Sequence, residues 1–378
     1  MNILIDLGYI YDETSLCVGV VKYALKILDS IVEAKTCEKF TLIVNKKIAY
    51  YFDDKYPEFK KEIIQLSDYR ATNNYWLRQI KKSFSIPLDF IQYKRIKSHY
   101  DYVFCPFANY AGLSFNRLKN QIITMHDFYY LNKWNKNSLR YKLTYNQTKR
   151  RLQKAKTIVT TSNYTVSELR KYFPTIKTEV EVVPIIVRYN NLGDLEFNTE
   201  NKKPYFLWVN AIAPHKNILT MIKAFYDGCF YNDYDLVIVG KKNNYWLNTV
   251  EPYINSLDLM SNIFVFENIT EELLQALYKN AYLFITTSMN EGFGLTPLEA
   301  ALNSIPVIST KCQSLPEVTL NLLNYYEPPL SADSLRKSIS DIIVNYPSQE
   351  KLTEIKSKII SEYSSQRLYI LFIQLFEK

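Results

Sequence analysis

Apolar runs of four or five residues alternate along this chain with stretches whose apolar positions recur at helical spacing. In the first half the runs are Ile3–Leu7, Phe40–Val44, Tyr102–Cys105, Ile122–Met125 and Ile158–Thr161. Between the first two, Val20, Val21, Ala24, Leu25 and Leu28 fall on one helix face. Short runs that are apolar throughout predict strands covered on both faces, and their alternation with helices predicts a parallel sheet wrapped on both sides. The segment Arg188–Pro204 is polar, keeps no period and ends in proline, which marks a connector. Beyond it the pattern restarts. Tyr205–Val209, Leu236–Val239, Ile263–Phe266, Tyr282–Thr286 and Val307–Ser309 read as strands, and Ile218, Met221, Ile222 and Phe225 line one face of an intervening helix. The expected architecture is therefore α/β, with two doubly wound domains at 1–188 and 205–360 and a linker at 189–204. A last helix within 361–378 is expected to pack back on the first domain. In such sheets ligands bind beyond the carboxyl ends of the strands, so the residues just after each strand carry most weight.

A chain of 378 residues is too long for one ordinary core, which agrees with two domains. No apolar run approaches the roughly 18 residues of a membrane-spanning helix. The opening MNILIDLGYI is broken by Asp6 and Gly8 and lacks a basic lead-in, so it reads as a buried strand rather than a signal peptide. Cys17, Cys37, Cys105, Cys229 and Cys312 are scattered singly with no CxxC, as in a reduced, cytoplasmic protein that uses thiols as small apolar side chains. Charge is uneven. Residues 1–185 carry 30 Lys and Arg against 17 Asp and Glu, and the remainder 16 against 21. A basic first half fits either an anionic partner, such as the inner face of a plasma membrane touched peripherally, or an ordinary solvated surface. Arg70–Lys97, with Tyr75, Trp76, Phe84, Phe90 and Tyr93 among its bases, is the stretch best suited to anionic lipid. No nucleic-acid motif accompanies the charge, so no nucleic-acid partner is expected.

The most informative stretch is Thr286–Ala301, TTSMNEGFGLTPLEAA. A strand ends near Thr287, a loop with Gly292 and Gly294 follows, and a helix is expected to begin at Thr296–Pro297. Pro at the first helical position and Glu299 three residues after Thr296 predict a capping box. Glycines allow close backbone approach, and a helix N-terminus offers amides to phosphate or hydroxyl oxygens. Glu291 and Glu299 would flank this anion-friendly loop; a plain tight turn with a capped helix has the same spacing.

Here a resemblance becomes specific. The stretch resembles the Glu-x7-Glu signature of glycosyltransferase family 4, and LWVNAIAPHKNILTMIKAF, LVIVGKKNNYW, LLQALYKNAYLFITTS and IPVISTKCQSLPEV resemble successive segments of the same family. In the first half VGVVKYALKIL, TMHDFYYL and TIVTTSNYTVSELRKYF continue the likeness more thinly. The resemblance, to the mannosyltransferase-like part of that family, implies the GT-B fold, two Rossmann-like domains facing a central cleft. It also implies retaining transfer of a hexose from a nucleotide diphosphate sugar to a glycan or lipid-linked acceptor, in bacterial surface polysaccharide synthesis. No cofactor or metal is implied. Carried over residue by residue, His126, Lys216 and Glu291 would be catalytic. Lys216 would neutralise the diphosphate leaving group, Glu291 would bond the sugar hydroxyls, and His126 would lie near the reacting centre. Gly19, His215, Asn217, Gly240, Lys241, Gly292, Phe293, Gly294, Leu295 and Glu299 would bind the donor, Glu299 at the ribose. Two departures stand out: Asn210 replaces the family's glycine after Val209, and His215 replaces an arginine.

Asp233-x-Asp235 imitates a metal-binding DxD but precedes the strand at Leu236, the wrong end for catalysis, and reads as a polar turn. No His/Cys set has zinc spacing. A sugar-nucleotide epimerase of the same fold and a nucleic-acid-binding protein are the rival readings. Release of nucleotide only when an acceptor is present separates the first from a transferase.

Overall fold

The computed structural model describes residues 1–17, 19–66, 96, 100–108, 120–132, 135–188, 197, 199–200 and 203–377. The chain divides into two compact units, Met1–Ile186 with Ser365–Lys378, and Val187–Ser364. The first unit is built on seven strands: β1 (Ile3–Asp6), β2 (Phe40–Asn45), β3 (Lys60–Ile64), β4 (Tyr102–Cys105), β5 (Gln121–Met125), β6 (Thr157–Thr160) and β7 (Glu179–Val182). They lie in the order β3-β2-β1-β4-β5-β6-β7, and every pairing is parallel. The second unit has six: β8 (Tyr205–Val209), β9 (Asp235–Val239), β10 (Ile263–Phe266), β11 (Leu283–Thr286), β12 (Val307–Thr310) and β13 (Asn324–Tyr326). Their order is β10-β9-β8-β11-β12-β13, again all parallel. Both sheets follow the doubly wound plan, in which the strand order reverses beside the first strand.

The central strands are buried at nearly every position, as β8 (YFLWV) and β5 (QIITM) illustrate, because helices cover both faces. Three strands escape the hydrophobic reading: β3 (KKEII), β7 (EVEV) and β13 (NYY), each at the edge of its sheet. An edge strand is only partly covered and can carry polar or charged side chains, so an apolar run need not announce it, although the other edge strand, β10, keeps one. Asp235 is the first residue of β9, fully buried and bonded by the Thr199 hydroxyl at 2.5 Å. It therefore belongs to the strand rather than to a polar turn, and it sits at the strand's amino end. Cys37 and Cys105 are buried as expected of apolar thiols, whereas Cys229 is exposed. Arg70–Lys97 lies almost entirely outside the described residues. Among the described residues no helix is long and apolar enough to cross a membrane.

The last helix, Ser365–Glu377, belongs to the first unit. Leu368, Phe372, Leu375 and Phe376 are buried on one face. The Phe372 ring meets Phe104 edge-on at 4.9 Å and stacks on Phe40 at 6.2 Å, and Phe376 reaches Tyr102 at 5.6 Å. The helix thus lies across β2 and β4, with Tyr369 bonded to Thr36 at 2.7 Å. Truncating Phe372 to alanine removes the aromatic that joins these strands and should cost about 3–5 kcal/mol. Urea unfolding of the variant should show that loss as a lower midpoint with an unchanged slope.

Candidate functional site

In the second unit the strand order reverses between β8 and β11, which are hydrogen-bonded neighbours (Phe206 opposite Leu283). The loops leaving their carboxyl ends carry Lys216 and Glu291. After β8 the chain makes a short 3-10 turn, Pro214–Lys216, and Asn217 adopts a left-handed conformation (φ 55°) that starts the helix Ile218–Asp227. The Lys216 ammonium lies 2.5 Å from Glu291 Oε1, with the two side chains 13% and 15% exposed. Ser288 donates to the same carboxylate oxygen at 2.7 Å. The Glu291 peptide is held on both sides: its N–H donates to Gln313 Oε1 (3.0 Å), and its carbonyl accepts from Ser314 Oγ (2.8 Å). Beneath the pair, the Trp208 indole donates to Thr287 Oγ1 (3.1 Å), which donates in turn to the Lys216 carbonyl (2.9 Å). The His215 carbonyl accepts from the Met289 amide at 2.8 Å. A largely covered ion pair is thus fixed to two adjacent strand ends, where a ligand of an α/β sheet binds.

The helix beside this loop departs from the expected capping box. It runs Leu295–Leu302, one residue earlier than expected, and its cap is Gly294 at φ +91° with no side-chain cap bond. A Cβ on Gly294 would stand 2.5 Å from Leu315 Cδ2, so both the conformation and the space require glycine. Pro297 sits in the first turn, where its missing N–H leaves no helix bond unmade. Glu299 caps nothing; its carboxylate accepts from Tyr278 at 3.2 Å. Burial, and next the Glu299 charge, push the Tyr278 phenol well above its ordinary pKa, so it remains a donor. Phe293 is buried and packs edge-on against Tyr363 at 5.5 Å, which leaves its backbone rather than its ring for a ligand. Gly292 is half-buried in the same loop.

Asn217 is committed to the scaffold: its amide donates to the Pro329 carbonyl (2.9 Å) and its Oδ1 accepts from Thr220 (3.0 Å). Gly240, just beyond β9, stands against β8's continuation, and a Cβ there would meet the Asn210 carbonyl at 2.4 Å. The adjoining Lys241 is exposed.

In the first unit His126 follows β5. Its Nε2 lies 2.8 Å from the Pro106 carbonyl beyond β4, and its ring packs edge-on to Tyr23 at 4.9 Å. Burial lowers its pKa from 6.5 to about 4, so at neutral pH the ring is uncharged and Nε2 donates to Pro106. Gly19 opens the helix Gly19–Glu33, and a Cβ there would meet no protein atom within 4 Å. Among the described residues nothing demands glycine at that point.

With this geometry in hand, residues 195–358 match the family model described as glycosyl transferases group 1. That match falls within the second unit, which is therefore similar to glycosyl transferases of group 1. O-antigen chain mannosyltransferase RfbU of Salmonella typhimurium is 31% identical over 216 residues, 56% of this chain and 58% of that protein. The chain thus aligns with little more than half of that relative's length. Among solved structures, sucrose-phosphate synthase from Thermosynechococcus elongatus superposes with a TM-score of 0.75 at 16% identity, covering 100% of this chain and 98% of that one. HepE from Anabaena, in complex with UDP and glucose, gives 0.66 at 12%, covering 100% and 99%. At these identities the likeness establishes the fold, which is GT-B.

The second unit also contains residues that the sequence reading passed over. Ser288, Thr287, Gln313 and Ser314 fix Glu291 and Lys216, yet small hydroxyls and one glutamine in loops give no periodic or compositional signal. Histidine provides a test in the other unit. Between pH 6.5 and 4 the unfolded chain takes up a proton that folded His126 refuses, so stability falls as pH drops through this window. The loss should approach about 3 kcal/mol below pH 4. Melting temperatures of wild type and His126→Gln across that range should converge at the acid end; parallel curves would remove the histidine as the cause.

Proposed function

We propose that this protein is a retaining glycosyltransferase that moves a hexose from a nucleotide diphosphate sugar to a glycan or lipid-linked acceptor in surface polysaccharide synthesis. The observation that carries this reading is the Lys216–Glu291 pair at the strand-order reversal of a unit that matches the group 1 model. Loss of the nucleoside diphosphate leaves positive character on the sugar and negative charge on the phosphates. Lys216 stabilises the departing charge, doing the electrostatic work that a metal does elsewhere, and Glu291 bonds the sugar hydroxyls. A front-face attack, with a leaving phosphate oxygen taking the acceptor's proton, accounts for retention. Mannose is the first sugar to test, given the name of RfbU, and glucose the second, given the ligand of HepE.

Donor-saturation kinetics with GDP-mannose and UDP-glucose test the roles. Lys216→Ala should raise the barrier read from kcat/KM by about 3–4 kcal/mol, on the scale of losing one preformed electrostatic donor, and Lys216→Arg should retain more activity. An alanine variant within roughly threefold of wild type would remove Lys216 from the site.

A lipid-linked acceptor calls for contact with a membrane surface, and the helix Leu139–Lys154 supports it. That helix contains no acidic residue and exposes Arg140, Lys142, Arg150 and Lys154 beside Leu139 (58% exposed) and Leu143 (42%). Each base near an anionic bilayer is worth about 1 kcal/mol, and the exposed leucines add apolar contact. Sedimentation with anionic vesicles should show binding that falls with salt and weakens in an Arg140→Gln/Lys142→Gln variant. Equal sedimentation with neutral vesicles would count against this surface.

A further inference from the structure

Both functional charges of the second unit are engaged with each other. Lys216 Nζ and Glu291 Oε1 are 2.5 Å apart, yet the donor reading asks the same ammonium to meet a diphosphate. An ammonium is one compact charge, and it cannot neutralise a carboxylate and a diphosphate to the same degree at once. One partner must give way, and the geometry says which. Glu291 is held three further times, by Ser288 at its carboxylate and by Gln313 and Ser314 at its peptide groups. Lys216 is fixed through its carbonyl, and its ammonium sits at the end of a four-carbon stem that can swing. Ser288 is fully buried, so its hydroxyl stays on the carboxylate after the lysine leaves.

We propose that Glu291 is a built-in counter-ion that occupies Lys216 until a nucleotide diphosphate displaces it, and that Ser288 is the positioning residue that holds the freed carboxylate toward the sugar. This rests on the donor-binding reading above. The exchange favours the intact donor over its product. A nucleotide sugar brings the hydroxyls of the transferred sugar to the released carboxylate, whereas a bare nucleoside diphosphate lacks that sugar and its ribose hydroxyls fall to Glu299. After transfer Glu291 therefore recaptures Lys216 and helps to expel the product.

Equilibrium binding of GDP and of UDP by calorimetry tests this without any sugar contact. Glu291→Gln should bind whichever nucleotide the wild type prefers about tenfold or more tightly, the scale of one charge-assisted bond. Its transfer rate should nevertheless fall. In a Lys216→Met background the same Glu291→Gln change should tighten nothing, because no cation remains to be freed. Glu291→Ala, which also frees the lysine, should tighten binding too and serves if the glutamine variant does not fold. Ser288→Ala should lower kcat several-fold with nucleoside diphosphate affinity unchanged. Wild-type binding that Glu291→Gln leaves equal or weaker would overturn the counter-ion exchange while leaving the donor site standing. Tightening that survives Lys216→Met would overturn it as well, and a rise in KM alone for Ser288→Ala would remove that residue's part. No binding of either nucleotide by any variant would overturn both the exchange and the donor reading.

Discussion

The hydroxyl of Thr287 is the point on which the second unit's chemistry depends. It receives the buried indole N–H of Trp208 from the middle of a core strand and passes a bond on to the backbone of Lys216. A hydroxyl is one of few groups that can accept from one side and donate to the other at this size. Through it the packing of the hydrophobic core is converted into the placement of a loop that has little regular structure of its own. The ion pair above inherits that rigidity. Its lysine hangs from a carbonyl anchored to the core, and its glutamate from a peptide clamped on both faces. Functional precision here comes from satisfied polar groups at strand ends rather than from a large number of contacts.

The two units share one strand plan and use it differently. In the second, the reversal of strand order brings opposite charges together. In the first, an uncharged histidine tied to a backbone carbonyl follows β5, one strand beyond the reversal, and the helix after β1 starts at a glycine that no described residue crowds. That contrast lies in the loops rather than in the sheets. It also explains why neither sheet needs an exceptional fold: the plan supplies strand ends, and a few loop residues supply the chemistry.

Much of this was legible in the sequence, for reasons that can be named. Central strands such as Tyr205–Val209 announce themselves because burial on both faces demands an unbroken apolar run. Edge strands such as Lys60–Ile64 and Glu179–Val182 do not, since half of their surface is free to be polar. Lys216 and Glu291 stood out because a motif places them directly after strands. Thr296 and Glu299 misled, because the spacing of a capping box is also produced when a left-handed glycine starts the helix one residue earlier. Gln313 was invisible because it matters through one hydrogen bond to a residue 22 positions away, and Ser288, only three positions from Glu291, sits in a loop whose spacing does not show which way a side chain turns.

The return of the last helix to the first unit bears on the order in which the molecule can be assembled. Phe372 and Phe376 fill the space over β2 and β4, but they are separated from the rest of that unit by about 180 residues of the second. At a synthesis rate of roughly 5–20 residues per second, the first sheet waits roughly 10–35 s with that apolar surface uncovered. The second unit, contiguous in the chain, can close during that interval. The amino-terminal half is therefore made first and finished last, and its partly covered sheet is the natural point of engagement for a chaperone.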